Sequence, residues 1–104
     1  AYFSEINFGE IKGWKKHTRM TLNLIVPIGC IDFVIFNEAD GTFFEVTLGR
    51  DNYQRLTIEP GLWMAFRGRS RGMNLLLNIA SIEHNPNEAE GRELEEIAYS
   101  WKNI

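Results

Sequence analysis

The densest group of side chains able to do chemistry is Gly13-Trp14-Lys15-Lys16-His17-Thr18-Arg19-Met20-Thr21-Leu22-Asn23-Leu24. Read at the two-residue period of a strand, Lys15, His17, Arg19, Thr21 and Asn23 share one face. Trp14, Lys16, Thr18, Met20, Leu22 and Leu24 share the other, which turns apolar from Met20 onward. The first face is a row of hydrogen-bond donors around an imidazole, a group that titrates close to neutrality. Two readings fit such a row. Polar strand residues commonly face water, which makes it a solvated surface. Turned to the inside of a barrel, the same row meets a polar ligand.

The elements that must position this row are strands. A chain of 104 residues with 44% hydrophobic residues is the size of one domain and rich enough for a core. A net charge of -3 leaves no basic footprint for nucleic acid. Cys30, the only cysteine, cannot form an internal disulfide, and its neighbours Ile28 and Ile31 predict a buried thiol. No apolar run is long enough for a bilayer span and none reads as a signal peptide, so a soluble cytoplasmic protein without membrane contact is expected.

Along the chain, Tyr2 to Phe8 alternates aromatic and polar residues, Glu10 to Arg19 is extended, and Thr21 to Val26 ends at Pro27 and Gly29. Ile31 to Phe36 is almost wholly apolar and reads as a central strand. Asp40-Gly41 predicts a hairpin turn into Phe43 to Leu48. Tyr53 to Ile58 and Leu62 to Arg67 flank Glu59-Pro60-Gly61, and the cationic loop Gly68 to Gly72 leads into Met73 to Ile82. His84, before Asn85-Pro86, reads as a turn residue. Asn87 to Ile97 has the composition of a short helix interrupted by Gly91, with Glu88, Glu90, Glu93, Glu95 and Glu96 on a solvated face. Eight or nine short strands with little helix predict an all-β sandwich or barrel, most simply a jelly roll, as a single domain over 1–104. Tyr2, Phe3, Phe8, Phe43 and Phe44 are many aromatics for edge strands and mark an expected homodimer interface.

An ordered series of short motifs carries a resemblance. It runs from Ile11-Lys12-Gly13-Trp14-Lys15-Lys16-His17 through Met20-Thr21-Leu22-Asn23 and Val26-Pro27-Ile28-Gly29. Leu48-Gly49 with Asp51-Asn52-Tyr53, Pro60-Gly61-Leu62-Trp63, Asn78-Ile79-Ala80 and Ile82-Glu83-His84-Asn85-Pro86 continue it. The series resembles the cupin-type sugar-nucleotide enzymes, in particular short relatives of dTDP-4-dehydrorhamnose 3,5-epimerase. The resemblance implies a cupin jelly-roll barrel, commonly a homodimer, acting on a nucleotide-linked keto-sugar in surface polysaccharide synthesis.

Metal-holding cupins carry a His-x-His pair, a following Glu and a later His. Here the first position reads Lys15 and the second His17, no acid lies between Thr18 and Leu24, and no His follows Pro60-Gly61. No metal and no cofactor are expected.

The implied reaction is epimerisation or ketoisomerisation beside a sugar carbonyl. It needs a base for the α proton, positive charge for the enolate oxygen and an acid to return the proton. His17 fits the base and Lys15 beside it can supply positive charge, whereas the epimerases that the series resembles carry a His at the position that reads Lys15 here. Arg19 would meet the enolate or the diphosphate, Asn23 and Asn78 the sugar hydroxyls, and Trp63 a ring face. The family's acid is a Tyr, but the corresponding strand reads Leu75-Leu76-Leu77-Asn78, and neither Tyr53 nor Tyr99 can be assigned to the site. That favours simple isomerisation or a single epimerisation over a double one. A catalytically silent cupin that binds a sugar or sugar nucleotide is the alternative.

Overall fold

A computed structural model of the chain describes residues 1–80 and 86–101. The Ile82 to Asn85 part of the motif series, His84 included, lies outside them. Among the described residues nine strands follow in order: β1 (Tyr2–Ile6), β2 (Ile11–His17), β3 (Leu22–Ile28), β4 (Cys30–Asn37), β5 (Thr42–Gly49), β6 (Leu56–Ile58), β7 (Trp63–Gly68), β8 (Asn74–Asn78) and β9 (Ala89–Gly91). They form a four-stranded sheet, β1-β8-β3-β6, and a five-stranded sheet, β5-β4-β7-β2-β9. Strand neighbours in both sheets are antiparallel. Chain neighbours often sit in opposite sheets, the crossover pattern of a jelly roll.

Between the sheets lies a core that includes Ile6, Leu22, Leu24, Val26, Ile31, Phe33, Ile35, Leu48, Met64 and Leu76. Each such side chain contributes about 1.5–3 kcal/mol of burial energy. A second cluster of Trp14, Val34, Trp63, Ala65 and Ile97 sits on the other face of the five-stranded sheet, covered by Leu94, Tyr99 and Trp101. β4 is therefore buried on both faces, which explains an apolar run broken only by Asp32 between Ile31 and Phe36. No helix among the described residues is long and apolar enough to cross a membrane.

The acidic tail differs from the expected helix. It makes a 3-10 turn at Pro86–Glu88, then β9, then a second 3-10 turn at Leu94–Glu96. Pairing overrides composition here: β9 runs antiparallel to β2, and Trp14 and Arg92 exchange both backbone hydrogen bonds, at 2.9 and 3.0 Å. Such bonds leave Gly91 in an extended strand where a helix would have been weakened by it.

β2 is irregular between Lys12 and Lys15, where its register with β7 shifts. A Cβ at Gly13 would overlap the Cβ and Cα of Ala65 on the neighbouring strand. Gly13→Ala is expected to force β2 off β7 and cost about 1–3 kcal/mol, seen as a lower midpoint in denaturant unfolding. An unchanged midpoint would show that the two strands separate freely.

Candidate functional site

A cavity of about 300 Å³ opens between the sheets. Its walls follow from strand alternation, except on β2, where the irregularity between Lys12 and Lys15 brings both into the lining. β2 contributes Lys12, Lys15 and His17, β1 contributes Tyr2 and Ser4, and β8 contributes Asn78. Leu22 and Leu24 of β3, Leu76 of β8, and Met64 and Phe66 of β7 supply the apolar part of the lining. The arrangement, an apolar pocket with a few converging polar groups, is that of a small-molecule site.

His17 is buried, with 8% of its surface exposed, at the end of β2. Its Nδ1 lies 2.6 Å from Oε1 of Glu88, which is 4% exposed. The second carboxylate oxygen accepts the backbone N–H of Arg19 at 2.9 Å and of Met20 at 2.8 Å. The N–H and hydroxyl of Thr18 both donate to the Glu88 carbonyl, each at 2.9 Å. One residue thus clamps the corner between β2 and β3 and fixes the imidazole. A carboxylate on Nδ1 selects the tautomer that carries its proton there, leaving Nε2 as the nitrogen for a ligand in the cavity.

Burial pushes the Glu88 carboxyl up, but the hydrogen bonds from His17, Arg19 and Met20 outweigh it and hold its pKa at about 2. A carboxyl depressed in the folded state stabilises the fold above its unfolded value, about 4.3. That stability is lost as pH falls toward the folded value of about 2. Wild-type stability should therefore fall more steeply than that of Glu88→Gln between about pH 4.3 and pH 2. Parallel acid-unfolding curves for the two proteins would contradict this.

Across the cavity, Asn78 Nδ2 donates to the Tyr2 hydroxyl at 2.9 Å. Tyr2 and Asn78 face each other in the β1–β8 register, so the contact is set by the ladder. Asn78 is 4% exposed, and its Oδ1 has no hydrogen-bond partner. A buried acceptor of this kind calls for a donor, and a ligand hydroxyl in the cavity would supply one.

Of the side chains singled out in the sequence, Lys15, His17 and Asn78 line this cavity. Arg19, Asn23 and Trp63 do not. The stretch from Gly13 to Leu24 is not one strand: β2 ends at His17, β3 starts at Leu22, and the corner between them resets which residues face inward. Leu22 and Leu24 then point into the barrel, and Asn23 points out, where it donates to the Ile79 carbonyl and accepts from Thr57. Arg19 lies in the exposed corner, fixed through its backbone N–H. Trp63 faces away from the cavity into the second cluster, with Lys16 and Arg92 over its ring.

Two residues of the site escape the sequence reading: Tyr2, which lines the cavity, and Glu88, which holds His17 from outside it. By composition Glu88 reads as one of the solvated acids, of which Glu90, Glu93, Glu95 and Glu96 are exposed. Its partner His17 is 71 positions away, and nothing local separates it from its neighbours. Tyr2 was legible in part: the alternation Tyr2, Ser4, Ile6 against Phe3, Glu5 places it on the inner face of β1. Tyr53 and Tyr99 lie elsewhere, against Ile28 and Arg50 and on the outer side of the five-stranded sheet respectively. Among the described residues no three His, Cys, Asp or Glu side chains converge as a metal site.

No protein-family model and no curated protein matches the sequence. Solved structures do. A dTDP sugar isomerase from Desulfovibrio desulfuricans G20 is 36% identical, over 96% of this chain and 69% of that one, with a TM-score of 0.90. A dTDP-4-dehydrorhamnose 3,5-epimerase from Bacillus anthracis str. Ames, with TDP and PPi bound, is 19% identical over 96% of this chain and 63% of its own, with a TM-score of 0.82. The 3,4-ketoisomerase QdtA from Thermoanaerobacterium thermosaccharolyticum, in complex with TDP-4-keto-6-deoxyglucose, is 18% identical over 86% of this chain and 62% of its own, at a TM-score of 0.73. The last two, at such identity, speak for the fold. With 36% identity across 69% of the isomerase, on one shared two-sheet frame, the chain belongs to the cupin-type sugar-nucleotide epimerase and isomerase family.

Proposed function

We propose that the cavity takes the sugar of a dTDP-linked 4-keto-6-deoxysugar and that the chain epimerises or ketoisomerises it. The observation that carries this reading is the buried His17, held through Nδ1 by Glu88 with Nε2 left for the cavity. In the proposed reaction Nε2 takes the proton from the carbon beside the carbonyl, and the electron pair moves onto the carbonyl oxygen as an enolate. Lys15, on the same wall, supplies positive charge to that oxygen. The glutamate stabilises the imidazolium that forms, as a buried carboxylate on Nδ1 does in acid–base catalysis. Tyr2 is the candidate acid that the β8 sequence lacks. It accepts from Asn78 and keeps its own proton to donate to the enolate carbon. Return to the same carbon from the other face gives an epimer; if the hydroxyl proton on the deprotonated carbon first passes to the former carbonyl oxygen, return of a proton to the former carbonyl carbon gives the isomeric ketone.

The size of the cavity sets what enters. Ligand sites for drug-sized molecules span about 300–1,000 Å³, so about 300 Å³ holds the sugar and leaves the nucleotide at the mouth. There Lys12 can meet the diphosphate. Leu22, Leu24 and Leu76 offer the deoxy methyl an apolar wall. We place the product in surface polysaccharide synthesis. The test is incubation with dTDP-4-keto-6-deoxyglucose followed by proton NMR of the sugar ring. A new isomer is expected; unchanged sugar with nucleotide bound would reduce the role to binding.

We also propose a homodimer through the outer face of the four-stranded sheet. Phe3, Leu77 and Ile25 stand in one cross-strand row there, with Phe3 61% exposed. By alternation the outward residues of these strands include one charge, Glu5, so two copies meet with little like-charge repulsion. Phe43 and Phe44 belong to β5, at the edge of the other sheet, where Phe43 stacks on Phe36. Light scattering should give twice the chain mass for wild type and a monomer for Phe3→Asp with Leu77→Asp. A monomer for wild type at high micromolar concentration would rule the dimer out.

A further inference from the structure

On the outer face of the five-stranded sheet, Thr47, Asp32 and Arg67 stand side by side on β5, β4 and β7. Glu45 lies along β5 from Thr47, and the segment Tyr99-Ser100-Trp101 closes over the group, leaving a cleft of about 180 Å³. This cleft is separated from the barrel cavity by the sheet itself and plays no part in the reaction above. Three donors occupy Asp32: Oδ1 accepts Thr47 Oγ1 at 2.5 Å and Arg69 Nη1 at 3.1 Å, and Oδ2 accepts Arg67 Nη2 at 2.9 Å. Arg67 is 5% exposed, yet its Nε has no hydrogen-bond partner. Its guanidinium carbon lies 5.5 Å from the Trp101 ring. The Tyr99 hydroxyl donates to Glu45 Oε2. Burial, then that bond, push the Tyr99 pKa up to about 12, so the phenol stays a donor at neutral pH.

The charges decide what can enter. Two arginines face two carboxylates, so the cleft is close to neutral. An anion would meet Asp32 and Glu45, and a cation would meet Arg67 and Arg69. Among the groups left open are a buried donor, Arg67 Nε, a carboxylate oxygen of Glu45 at the exposed lip, and an aromatic wall of Tyr99 and Trp101. Adjacent hydroxyls satisfy that set: one accepts from Nε–H while its neighbour donates to Glu45, and the C–H face of a ring packs on the aromatics. At about 30 Å³ per water, the volume equals that of about six waters, room for one pyranose. We propose that this cleft is a second, non-catalytic carbohydrate site that takes a single uncharged pyranose.

The test titrates methyl α-D-glucopyranoside into the whole protein with dTDP present in excess. Proton–nitrogen correlation spectra report the arginine Nε–H and tryptophan indole signals, assigned by their loss in Arg67→Lys and Trp101→Phe. The Arg67 Nε–H and Trp101 indole signals should shift saturably. Glu45→Ala, a change at an exposed position, should weaken the binding by about tenfold or more. Absence of any shift at Arg67 and Trp101, or a titration unchanged by Glu45→Ala, would overturn the proposal. Because dTDP is directed at the other cavity, its failure to bind would count against the barrel reading and leave this titration readable.

Discussion

Glu88→Ala is expected to lower stability by about 3 kcal/mol or more and to remove proton transfer. The stability loss follows from what the carboxylate holds. Without it the N–H groups of Arg19 and Met20 lose their acceptor, and so does His17 Nδ1. An unsatisfied buried donor costs about 1–3 kcal/mol, and two buried donors, His17 Nδ1 and the Met20 N–H, share this group with the part-buried Arg19 N–H. In a chain of this size each kcal/mol moves the thermal midpoint by about 4–8 °C, so a fall of more than about 10 °C should be seen by calorimetry. Glu88→Gln keeps one acceptor oxygen and should recover part of the stability. It should recover little of the chemistry, because a neutral amide cannot stabilise an imidazolium. A variant as stable as wild type would mean that the corner closes without the clamp.

His17→Asn carries the second large effect. General acid–base catalysis contributes about 10²–10⁴-fold, and Nε2 is the basic atom that Glu88 leaves for the cavity. Exchange should fall by that factor while dTDP affinity changes little, since the proposed pose leaves the nucleotide at the mouth. Asparagine retains a group able to reach Glu88, so the fold should survive. Lys15→Ala should act differently, lowering turnover about 10²–10³-fold with the pH dependence of the base intact. If His17→Asn exchanges at the wild-type rate, Lys15 becomes the base candidate on that wall.

The strands were legible in the sequence because their period is local. The alternation from Tyr2 to Ile6, the apolar run of β4 and the Asp40-Gly41 hairpin depend on near neighbours, and each is present. The site was legible where one strand carries it: Lys15 and His17 sit two apart on β2 and line one cavity. Extending that face to Arg19 and Asn23 failed at the β2–β3 corner, since a turn changes the face and a period-two reading has no signal for it. Trp63 is inverted for a related reason. In a strand buried on both faces, as β7 is, apolar residues do not reveal which side is the barrel. Glu88 and Tyr2 depend on contacts 71 and 76 positions apart, which composition cannot supply.

The central claim is that His17 moves the proton beside a sugar carbonyl inside this cavity. The most direct measurement is deuterium incorporation into dTDP-4-keto-6-deoxyglucose in heavy water, followed by NMR at the ring carbons next to the carbonyl. Wild type is predicted to place deuterium at such a carbon, and His17→Asn, tested at equal nucleotide occupancy, to place almost none. Bound nucleotide with no deuterium incorporated by wild type would contradict the claim and leave the chain a sugar-nucleotide binder.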